Sequence, residues 1–111
     1  MKSVSVYIAD ITEAIVKIQE YTKGSKEDNF LNDTKLQDSV IRRLEIMGEA
    51  VKHIPADFRN KYPEIPWKEI AGMRDILIHE YSGVLMTRIW KVVKKDIPRL
   101  KKQIKTLQKE L

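Results

Sequence analysis

The sequence predicts an all-α protein, an up-and-down bundle of four to five helices. Apolar residues recur at spacings of three and four along nearly the whole chain, and no segment shows the alternation of a strand. The main interruptions fall at Gly24, at Pro55, Pro63 and Pro66, and at Gly83, residues that end helices or shape turns. At 111 residues the chain reads as one domain, residues 1–111. Its 42% hydrophobic and 33% charged residues describe a globular protein with a core, not a disordered one.

The elements follow in order. Val4, Ile8, Ile11, Ile15, Ile18 and Thr22 form a first helical stripe that stops before Gly24. Ser25, with Glu27 and Asp28 behind it, resembles a cap opening a short segment around Phe30 and Leu31. Asp33 or Thr34 then caps a long helix whose stripe is Leu36, Val40, Leu44, Met47, Val51 and Ile54. Gly48 lies inside it at a cost of about 1 kcal/mol relative to Ala, which points to close approach by another helix. Prolines make IPADFRNKYPEIPW an ordered loop, with room for one helical turn at Ala56 to Arg59. A helix starts at Trp67 and ends at Tyr81, Ser82 and Gly83. From Thr87 onward Ile89, Val93, Ile97, Leu100, Ile104, Leu107 and Leu111 stay in phase across Pro98, so a kink or fresh start is expected there, near Asp96.

Composition excludes several classes. There is no cysteine, so no disulfide or thiolate zinc site is available and a reducing cytoplasm is the natural compartment. MKSVSVYIAD holds no apolar run long enough for a signal peptide, and no stretch approaches the roughly 20 apolar residues of a membrane span. Nor is there a carboxylate cluster at metal-ligand spacing, so neither a metal nor another cofactor is expected. Nine lysines and arginines against Asp96 and Glu110 give Leu85 to Leu111 a charge of +7, leaving the first 84 residues at −2 of the net +5. Such a basic terminal helix is either a solvated face or a footprint for phosphates.

One residue is out of place. The stripe of the Trp67 helix is Trp67, Ile70, Ala71, Arg74, Leu77, Ile78 and Tyr81, with a guanidinium at its centre. Arg74 either pairs with a carboxylate of the long helix, Glu49 or Glu45, or it recognises an anion where the stripe meets a cleft or a second subunit. His79 stands five residues on, about 140° around the helix, so spacing alone does not put it on the face of Arg74. It lies near a helix C-terminus, where the dipole favours a cation. His53, closing the long helix, reads as a helix-end residue bonded to backbone. Tyr81 reads as an amphipathic aromatic closing its helix, ring inward and hydroxyl at the surface.

Arg74, four residues, His79, one residue and Tyr81 match the Arg-x4-His-x-Tyr motif of HepT-like proteins, a branch of the HEPN superfamily. The surroundings are similar as well: LEIMGEAVKHIP resembles that family's long helix, PEIPWKEIAGMRD its approach to the motif helix, and IWKVVKKDIPRLKKQI its closing helix. The likeness runs over nearly the whole chain.

The resemblance implies a homodimer with the motif helices of two subunits facing one cleft. It implies the toxin of a toxin-antitoxin pair, a metal-independent ribonuclease whose antitoxin is a minimal nucleotidyltransferase. His79 would move protons, Arg74 would hold the phosphate, and the antitoxin would attach AMP to Tyr81. The residue after the motif arginine is commonly Asn in that family and here is Asp75. Four residues before His79, its carboxylate either orients the imidazole and favours its cation or repels a phosphate. The contrasting expectation is a non-catalytic module that binds a nucleotide or docks the nucleotidyltransferase.

Overall fold

The computed structural model describes residues 3–79 and 84–111, and all regular structure among them is helical. Four long rods make the bundle: α1 (Val4–Thr22), α3 (Thr34–Lys52), α5 (Trp67–His79), and a C-terminal run of α6 (Met86–Lys91), a π-helical segment (Val92–Asp96) and α7 (Ile97–Gln108). Two short helices, α2 (Glu27–Leu31) and α4 (Ala56–Arg59), sit in the connections.

The predicted stripes are the buried faces. Ile8, Ile11, Ile15, Ile18 and Thr22 of α1 are buried together with Ala14, and the Thr22 hydroxyl donates to the Ile18 carbonyl at 2.8 Å. Gly24 then takes a φ of +77°, a left-handed conformation that costs glycine little and stops the helix. Lys26, not Ser25, occupies the cap of α2. The Asn29 side chain reaches back to accept its N–H at 2.7 Å, which is the half of a capping box supplied from inside the helix. Phe30 is fully buried against Trp90, ring centroids 5.3 Å apart, which ties this short helix to α6.

Asp33 caps α3 by accepting the Leu36 N–H at 3.0 Å. The helix lies between α1 and α5 and buries Val40, Ile41, Leu44, Met47, Gly48, Ala50 and Val51. Ile54 and Ile65 pin the two ends of the proline-rich loop into the core. The Trp67 indole donates to the carbonyls of Arg59 and Tyr62, at 3.2 and 3.1 Å, so the loop fixes where α5 begins. Near Pro98 the run starts afresh as expected, with α7 beginning at Ile97 directly after Asp96. It widens into a π-type turn, places Pro98 in the first turn of α7, and keeps Val93, Ile97 and Leu100 on the buried side. Leu111 leaves the stripe: α7 ends at Gln108 and this last leucine is exposed. No described helix is long and apolar enough to cross a membrane.

Candidate active site

The place of Arg74 is set by a missing methyl group on α3. A Cβ at Gly48 would lie 2.2 Å from the Cβ of Arg74 and 2.9 Å from the Ile70 carbonyl oxygen, so only glycine admits this helix contact. The aliphatic stem of Arg74 crosses that notch and its head emerges at the edge of the core, leaving the side chain 25% exposed. Its Nη2 pairs with Glu49 Oε2 and its Nη1 with Asp75 Oδ1, both at 3.2 Å. Of the two carboxylates expected from sequence, Glu49 is the partner. Glu45 lies 3.9 Å from Arg42 instead.

Around this head opens a cleft of about 540 Å³, walled by Tyr7 of α1, Glu45, Glu49 and His53 of α3, and Arg74 and Ile78 of α5. Ile78, grouped with the apolar stripe in the sequence, is 44% exposed here. The α5 stripe is thus split: Trp67 and Leu77 go into the core, while Arg74 and Ile78 face the opening.

Asp75 takes its recorded bonds from Lys52 Nζ and from Arg74. The Lys52 ammonium foremost, and the guanidinium next, hold its carboxyl below the ordinary aspartate value of 3.8, so it is anionic throughout the neutral range. Its described partners therefore lie toward Arg74, not toward the imidazole four residues on. His79 is the last described residue of α5 and is exposed. The helix remains regular from Arg74 to His79, which keeps the two side chains about 140° apart within one chain. Tyr81 lies outside the described residues.

The family model described as Ribonuclease HepT-like matches residues 11–107. The chain belongs to this HepT-like family. Among its relatives, a protein of Methanocaldococcus jannaschii named "Gamma-glutamylcyclotransferase and putative RNase" is 54% identical over 99% of this chain, which spans half the length of that protein. The "Probable ribonuclease HepT" of Thermococcus cleftensis is 53% identical over 93% of this chain and 94% of its own length. A "Putative RNase" of Caldanaerobacter subterraneus subsp. tengcongensis is 48% identical over 99% of both. No solved structure gives a significant match.

Sequence reasoning about this HepT-like chain missed His53. It closes α3 as expected, but its ring bonds to a side chain, not to backbone: Nε2 lies 3.1 Å from Glu49 Oε1. The ring also stacks on Tyr7, centroids 5.1 Å apart and planes 12° from parallel. Glu49 therefore reaches His53 through one oxygen and Arg74 through the other. The signal available in sequence was the Glu49 to His53 spacing of four, which places the pair on one helical face.

Proposed function

We propose that this HepT-like protein is the toxin of a toxin-antitoxin pair and acts as a metal-independent endoribonuclease at a cleft shared by two copies of the chain. The observation that carries the reading is Arg74: a guanidinium held at the mouth of an open cleft, on the same helix as an exposed histidine. A planar fork of donors in that position suits a phosphodiester. The 2′-hydroxyl attacks the adjacent phosphorus, its proton passes to one base, and the 5′-oxygen leaves with a proton from an acid, giving a 2′,3′-cyclic phosphate. His79 serves as proton carrier, and Arg74 stabilises charge building on the phosphoryl oxygens.

The regular helix between Arg74 and His79 favours a two-chain site, because side chains about 140° apart do not converge on one phosphate without a second copy. Exposed Ile78 beside Arg74 supplies apolar surface for that contact. Arg88, Lys91, Lys94, Lys95, Arg99, Lys102, Lys105 and Lys109 of the C-terminal run are exposed, a solvated basic face that attracts RNA without reading sequence. A cytoplasmic site of action goes with this reading. Among the described residues no three His, Cys, Asp or Glu side chains gather as a ligand set, so the decisive assay is run in chelator. Purified protein is expected to cut labelled RNA there and leave 2′,3′-cyclic ends, while an inert protein would remove the catalytic reading.

Control by a cognate minimal nucleotidyltransferase completes the proposal. AMP on Tyr81 would bring phosphate charge and a bulky nucleotide seven residues along the chain from Arg74, to occupy the guanidinium and block the cleft. Incubation with that enzyme and ATP is expected to form a bond from the Tyr81 oxygen to the α-phosphorus as pyrophosphate leaves, raising the intact mass by one adenylyl group (AMP less water), and to leave Tyr81→Phe unmodified. Undiminished addition to Tyr81→Phe would move the site elsewhere. A second reading, a non-catalytic module that binds a nucleotide or docks the partner, draws on the two carboxylates already paired with Arg74. The two readings part at His79, since binding tolerates its replacement and cleavage does not.

A further inference from the structure

Arg74 can receive a phosphate productively only if its fork is aimed before the phosphate arrives. Both ends of the fork are held: Nη1 by Asp75, which Lys52 anchors, and Nη2 by Glu49. Glu49 is not held by burial, because its side chain is 49% exposed. A carboxylate on that exposed turn of α3, with one oxygen on Arg74, is free to swing unless its other oxygen is tied as well. That tie is His53 Nε2, 3.1 Å from Oε1. An ionised carboxylate only accepts, so Nε2 carries the hydrogen. The imidazole is itself 52% exposed and owes its orientation to the ring of Tyr7, on a different helix. The chain of contacts runs from α1 through Tyr7 and His53 to Glu49 and ends on the guanidinium.

We propose that His53 is a positioning residue of this site: its Nε2–H fixes Glu49, and Glu49 fixes the Arg74 guanidinium for an RNA phosphate. The proposal rests on the ribonuclease reading above. His53 touches no reacting atom and acts through two side chains.

Two substitutions at His53 separate the hydrogen bond from the ring. His53→Gln keeps a nitrogen donor the same number of bonds from Cβ but removes the ring. His53→Phe keeps a ring that stacks on Tyr7 but removes the donor. Cleavage of labelled RNA by the full chain is expected to fall roughly ten- to hundredfold in kcat for His53→Phe, with a smaller change in KM, and to be largely retained by His53→Gln. The Arg74 Nε–Hε cross-peak in a nitrogen-15 correlation spectrum, identified by its loss in Arg74→Ala, is expected to shift or broaden in His53→Phe only. His53→Phe cutting as fast as the unsubstituted protein, or His53→Gln falling as far as His53→Phe, overturns the proposal. If the unsubstituted protein cuts no RNA, the ribonuclease reading fails on its own. The cross-peak then decides the positioning role separately, and one that stays in place in His53→Phe rejects it.

Discussion

Replacing His79 with Ala is expected to lower RNA cleavage by about 10²–10⁴-fold and to leave the melting temperature nearly where it was. The size follows from the role: without a proton carrier, one of the two proton transfers of the reaction falls to water. The unchanged stability follows from position, since His79 is exposed at the end of α5, and surface substitutions away from caps and buried networks move stability by only about 0.5 kcal/mol. Arg74→Ala should lose activity on a comparable scale, about 10²–10³-fold, by removing the charge that meets the transition state. It differs from His79→Ala in also leaving Glu49 and Asp75 without the cation between them. The comparison is made on labelled RNA in chelator, with a thermal melt and a native-mass measurement on each variant. A folded His79→Ala protein that cuts at the original rate would transfer the chemistry to another residue, or leave only the binding module.

The folding part of this behaviour was legible because it depends on local periodicity. The stripes of α1 and α3 and the run from Ile89 to Leu107 are what one buried face demands, whichever helix covers it. Gly48 was legible for a related reason, since glycine inside a strong helix requires a compensating contact, and α5 supplies it. The site was legible only through what the chain resembles. That Arg74 and Ile78 face a cleft while Leu77 is fully buried depends on where α3 stops covering α5, which is a tertiary fact. His53 escaped for the same reason. Its spacing from Glu49 is visible in the sequence, but its meaning comes from Arg74 on a helix that begins fifteen residues after α3 ends. The cap of α2 escaped on a smaller scale, because serine is the commoner cap while the side-chain bond that closes this helix start comes from Asn29 inside the helix.

Gly48→Ala links the two levels and is expected to damage both. In a free helix the change would gain about 1 kcal/mol. Here the added carbon would meet the Cβ of Arg74 at 2.2 Å and the Ile70 carbonyl oxygen at 2.9 Å. Neither atom is the far end of a flexible side chain, so α5 itself must move off α3. Overpacking of this kind costs about 1–3 kcal/mol, and contact with two atoms fixed to the backbone puts it toward the upper end. The net effect is destabilising, with a fall in melting temperature of several degrees. Because the displaced segment carries Arg74 away from Glu49, cleavage by the fraction still folded should fall too, which His79→Ala does without loss of stability. Gly72→Ala on α5 is the control, since a Cβ there meets nothing within 4 Å and should bring the helix gain alone. Thermal melts of the two alanine variants decide the matter. If Gly48→Ala is stabilised as much as Gly72→Ala, α3 and α5 do not approach as closely as Gly48 implies, and the notch that aims Arg74 into the cleft is lost with it.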